Sequence, residues 1–128
     1  MVIIFFALIF AMLMFTFSFG AYSMNGINRT VMYIPMEMFQ KNVYVLEKND
    51  TSFFYFEEIK LKNDLTEYFT RLEKYTNDYT LTIMFTNAQG KLDLSLRHQG
   101  VRITVNATAY FDYNYKKTMF YHVGESNE

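Results

Sequence analysis

The chain has 128 residues, with 12 Lys and Arg against 13 Asp and Glu, and a formal net charge of −1 leaves nucleic acid little to grip. There is no cysteine, which excludes disulfides, thiolate catalysis and Cys-ligated zinc. Every charged side chain falls at or after Arg29, so an apolar opening segment precedes a remainder the size of one small domain.

From Met1 to Phe19 the side chains are Phe, Ile, Leu, Met, Val and Ala, with Thr16 and Ser18 the only polar ones. As a helix rising about 1.5 Å per residue this run spans about 29 Å, the thickness of a bilayer's hydrocarbon core. A secretory signal has a basic start, a shorter apolar stretch and small residues before the cut. Only the last is present, as Ser18 and Gly20 before Ala21, so the pattern predicts an uncut transmembrane helix over residues 1–20. The missing basic leader is also what a translation start upstream of Met1 would produce. Arg29 and Lys41 lie too far from the span for the positive-inside rule to set its orientation. Ala7 and Ala11, with Ser18 near the same face, form the kind of small-residue pattern on which membrane helices pack closely.

Beyond the span, Met24, Ile27, Val31, Ile34 and Met38 recur at spacings of 3 and 4, an amphipathic helical stripe. Gly20 and Gly26 weaken this helix, and Pro35 kinks or divides it. Residues 21–46 therefore read as an amphipathic helical extension or linker that lays one apolar face on the rest of the fold. Met24, Met32, Met36 and Met38 carry the soft thioethers that suit Cu(I), but no Cys or His stands beside them, and adaptable packing explains them better.

Residues 47–128 form the expected α+β domain. EKNDTS is turn-like. In EEIKLKNDLTEYFTRLEKYT, Leu61, Leu65, Tyr68, Phe69, Leu72 and Tyr75 share one helical face, and Glu57 and Glu58 suit its positively polarised first turn. From Tyr79 the period changes to two: Tyr79, Leu81, Ile83 and Phe85; then Leu92, Leu94 and Leu96; then Val101, Ile103, Val105, Ala107 and Ala109. A last strand over 118–123 follows an expected bend from Asp112 to Lys117. The fold class is thus an N-terminal transmembrane helix with an amphipathic extension, then one helix and a four-stranded antiparallel sheet.

Chemistry is sparse. Asp93, Ser95 and His98, at one strand end, are the three residue types of a hydrolase triad, but there is no nucleophile elbow, and Asp93 and Ser95 with Arg97 are the polar face of an amphipathic strand. His98 and His122, with Asp93, are two unlinked histidines and one carboxylate, too little to predict a metal. No phosphate loop, HExxH or EF-hand loop occurs. N-x-[ST] at Asn28, Asn49 and Asn106 matters only in a glycosylating pathway. No catalytic residue, metal, cofactor or small-molecule substrate is expected. Tyr110, Tyr113, Tyr115, Phe120 and Tyr121, with Phe111 beside them, are the candidate partner surface, since adjacent residues of a strand point to opposite faces and some rings must be exposed.

This layout, from Ala7 and Ala11 through the Met24 to Met38 stripe to a small antiparallel sheet, resembles type IV pilin-like proteins. It looks most like the small TadE-like pseudopilins of Tad-type pili and related anchored proteins of Gram-positive bacteria. The chain departs from the family's leader, which carries basic residues, a Gly processing site and a Glu shortly into the apolar segment. The resemblance implies a non-enzymatic, single-pass cell-membrane protein with its C-terminal domain extracytoplasmic, serving a surface appendage or its assembly and secretion machinery. Its partners would be the membrane and other anchored subunits, copies of itself included. The alternative is an anchored cell-envelope adaptor or binding module.

Overall fold

The computed structural model describes residues 1–48, 51–92 and 97–123. Helix α1 (Val2–Met32) is a single unbroken helix of 31 residues, about 46 Å long, and crosses residue 20 without a kink. The glycines within it do not interrupt it, because packing on its far half outweighs their weak propensity. None of its residues 2–19 is buried, and its second half buries Gly20, Ser23, Gly26, Ile27 and Val31 on one face. The helix ends at Tyr33, whose N–H donates to the Arg29 carbonyl at 3.1 Å. Pro35 disfavours helical backbone at Ile34 and becomes the N-cap of the short α2 (Met36–Gln40), so the chain changes direction there.

Strands β1 (Val43–Lys48) and β2 (Thr51–Phe56) form an antiparallel hairpin, paired from Val43 with Phe56 to Lys48 with Thr51. The 21–46 stretch therefore holds the end of α1, all of α2 and the start of a strand. Helix α3 (Glu58–Phe69) follows, with Glu57 at its N-cap, and tightens into a 3₁₀ turn over Thr70–Lys74. Leu61, Leu65, Tyr68, Phe69 and Leu72 are all buried, as their shared face predicts, and Tyr75 packs at the edge of the core.

Strands β3 (Asp78–Thr86), β4 (Gly100–Ala109) and β5 (Tyr113–His122) form an antiparallel meander in that order. The expected four-stranded sheet is corrected to a two-stranded and a three-stranded one. Thr86 pairs directly with Gly100, so β3 and β4 are immediate neighbours across the connection between them. Leu92 is exposed outside any strand, and the rest of the expected strand at Leu94 and Leu96 lies outside the described residues. The last strand also begins earlier than the expected 118. The chain reverses within Tyr110–Asp112, where Phe111 takes a φ of 65°, and the polar Asn114 and Lys116 that suggest a bend are outward residues of β5.

The core forms where the second half of α1, α2 and α3 meet the inner face of the meander. Ile27, Val31, Ile34 and Phe39 pack with the α3 face and with Val101, Ile103, Val105, Ala107 and Ala109 of the central strand. β4 is the best buried strand because β3 and β5 flank it and helices cover it.

Candidate partner-binding surfaces

The most apolar 18-residue window of α1 has a mean hydropathy of 2.7, and none of it is buried in the protein. The helix is long and apolar enough to cross a membrane, as an anchor or a signal sequence would be. Ala7, Ala11 and Ser18 all lie on this bare half and are exposed; their spacing of 4 and 7 keeps them on one side.

Where the bare half ends, small residues let the sheet approach. Gly20, Ser23 and Gly26 are spaced by three and buried. The Tyr113 ring covers Gly20, and the Tyr75 ring lies so close to Gly26 that a Cβ there would collide with it. Between them the Ser23 hydroxyl donates to the Tyr75 carbonyl at 2.5 Å and accepts the Tyr110 N–H at 3.0 Å. Further along, the Tyr115 hydroxyl donates to Asn28 Oδ1 at 3.0 Å. The Tyr68 hydroxyl donates to the Thr30 carbonyl at 2.7 Å, with the Tyr33 carbonyl 3.1 Å away. Burial pushes the Tyr68, Tyr115 and Tyr121 hydroxyls above the ordinary tyrosine range, so they remain donors. The stripe spends itself on the same packing: Ile27, Val31 and Ile34 are buried, and Met24 and Met38 pack against the core.

The aromatic candidates do not form one surface. Tyr113, Tyr115 and Tyr121 alternate toward the helices, and Tyr121 stacks on Phe39 at 4.2 Å between centroids. Phe120 lies on the opposite face beside His122. Tyr110 sits next to Phe19, 6.4 Å between centroids, and its hydroxyl reaches the Lys74 carbonyl at 3.4 Å.

A second apolar surface is the β1–β2 hairpin. Tyr44, Val45, Leu46 and Phe53 are all exposed, although neighbours in a strand point to opposite faces. The hairpin is therefore apolar on both sides, unlike the outer face of the meander, where Thr82, Thr104 and Thr118 lie in one row. Its sequence, VYVL and FFYF, is a pair of continuous apolar runs without alternation, and its strand character was hidden by that lack of period.

The polar groups do structural work. Asn42 is fully buried; its amide donates to the Met38 carbonyl at 2.8 Å and to Asp64 Oδ2 at 2.9 Å, while its Oδ1 has no partner among the described residues. Asn42 and then Lys41 hold the Asp64 carboxyl below its ordinary range. His98 Nδ1 sits against Glu58 Oε1 at the start of α3, which ties the loop before β4 to that helix. Asp93 and Ser95 lie outside the described residues, so the triad arrangement has no geometry to assess. Among the described residues no three His, Asp or Glu side chains gather to hold a metal ion. No protein-family model, curated protein or solved structure matches this chain.

Proposed function

We propose that this chain is a non-enzymatic, membrane-anchored extracytoplasmic protein, a pilin-like (TadE-like) subunit or accessory of a bacterial surface appendage or of its assembly machinery. The observation that carries the reading is α1: one continuous helix whose first half is apolar and bare and whose second half lies on an antiparallel sheet. Such a helix suits packing against the same helix of other subunits, with Ala7, Ala11 and Ser18 as the close-approach face. The bare hairpin favours contact with another protein, which the adaptor reading shares; that reading calls for a stoichiometric complex with one partner instead of a filament.

The natural chain has no thiol, so Lys116→Cys, exposed on β5, supplies one. Intact cells are treated with a membrane-impermeant maleimide. Labelling of a full-length, membrane-retained chain is expected; labelling only after lysis would place the sheet in the cytoplasm and overturn the proposal. Spontaneous disulfide cross-linking of Ala7→Cys and Ala11→Cys chains in membranes then separates a self-packing subunit, which cross-links, from an adaptor, which does not.

A further inference from the structure

We infer that the Tyr110–Tyr113 turn is a lipid-contacting foot that sets the sheet domain directly on the membrane surface. The inference rests on the anchored reading of α1 and adds a second, separate contact with the bilayer.

Its position follows from α1. The turn is held at the level of residues 19–23 by the hydrogen bond from the Tyr110 N–H to Ser23 Oγ, by the Tyr110 ring beside Phe19, and by Tyr113 over Gly20. From Phe19 to Ser23 the helix rises about 6 Å, and the headgroup layer is about 5–8 Å thick on each side of the hydrocarbon. A span ending at Phe19 therefore places this turn at headgroup depth.

Its chemistry matches that depth. Phe111 is 53% exposed and adopts a φ of 65°, a conformation in which a bulky side chain is strained and Gly or Asn is usual. At this unfavourable backbone position the protein leaves more than half of an apolar residue uncovered. Tyr22, 58% exposed, and Tyr113, 42% exposed, add amphipathic rings at the same level, the side chains that concentrate where hydrocarbon meets water. Lys74, whose carbonyl meets the Tyr110 hydroxyl, and Asp78, paired with Thr108, cancel beside the turn, and the turn's own sequence adds the acidic Asp112, so the rings and not attraction to anionic lipid drive the contact. A zwitterionic phosphatidylcholine surface is sufficient.

The natural chain contains no tryptophan, so each introduced Trp reports alone. Full-length Phe111→Trp, Phe10→Trp and Phe120→Trp chains are reconstituted into phosphatidylcholine vesicles whose lipids carry bromine either near the headgroup or deep in the acyl chain. Phe10→Trp should be quenched by deep bromine. Phe111→Trp should be blue-shifted and quenched by shallow bromine, while Phe120→Trp, near the far end of β5, should be neither. If Phe10→Trp is quenched and Phe111→Trp behaves like Phe120→Trp, the foot is overturned and the anchor stands. An unquenched Phe10→Trp overturns the anchor and the foot with it. Tyr113→Trp, in ordinary extended backbone, repeats the measurement without touching the strained position, and absence of shallow quenching there overturns the foot equally.

Discussion

Gly26→Ala tests whether α1 packs against Tyr75 at the end of the 3₁₀ turn as described, because two effects of known size oppose each other. In an exposed helix the change stabilises by about 1 kcal/mol through propensity alone. Here the new methyl would lie 2.6 Å from Tyr75 Cγ and closer still to Cδ1 and Cε1, whereas carbon atoms rest at about 3.5–4.0 Å. Cγ is the root of the ring, so no swing of its far end relieves the clash; the helix or the Tyr75 backbone must move. That overpacking costs about 1–3 kcal/mol, and displacing Tyr75 from Tyr22, 5.4 Å between centroids, adds about 0.5–1.5 kcal/mol. The net expectation is a loss of about 0.5–3.5 kcal/mol, opposite in sign to the propensity gain. Gly20→Ala is the internal comparison: its methyl meets one edge of the exposed Tyr113 ring, at 2.6 Å from Cε2 and 3.1 Å from Cδ2 but clear of Cγ, and that ring can turn away. Unfolding of both variants in detergent, followed by near-ultraviolet tyrosine dichroism, gives the difference. A Gly26→Ala chain as stable as Gly20→Ala would refute the docking of the helix at this seam.

Ser23→Ala removes the acceptor of the half-buried Tyr110 N–H and the donor to the Tyr75 carbonyl, and should cost about 1–3 kcal/mol in the same assay, with faster amide exchange at Tyr110. Asp64 is held below its ordinary carboxyl value of 3.8 in the fold, so the stability it contributes is complete above that value and is lost as pH falls through the lower folded one; in Asp64→Asn this part of the acid unfolding curve should flatten. Phe111→Asn suits the left-handed backbone at that position and should stabilise the detergent-solubilised chain by about 1 kcal/mol, read as a rise in the unfolding midpoint. Val45→Lys, on the bare hairpin, should change stability by no more than about 0.5 kcal/mol yet reduce association with partner subunits in sedimentation experiments.

Local periodicity made much of this fold legible. The stripe from Met24 to Met38, the buried face of α3 and the alternation in β3 and β4 all depend on residues within a few positions of one another, and each packs as its period predicts. The bare half of α1 was equally plain, since a run without charge and without alternation leaves few other fates. The β1–β2 hairpin was not, because its runs are apolar on both faces and carry no period. The start of β5 is hidden as well, because outward Asn114 and Lys116 look like a bend until they are paired with Thr108 and Asn106.

Composition and spacing alone thus determined an apolar helix, an amphipathic continuation and a small α+β domain with no chemical motif. Only the tertiary structure decided that the strands divide into two sheets, that Gly20, Ser23 and Gly26 form the seam on which Tyr75 and the Tyr110–Tyr113 turn rest, and that Tyr113, Tyr115 and Tyr121 face the helices while Phe120 faces away. Which elements meet depends on registers and close approaches between residues as far apart as Ser23 and Tyr110, and their contacts leave no period along the chain.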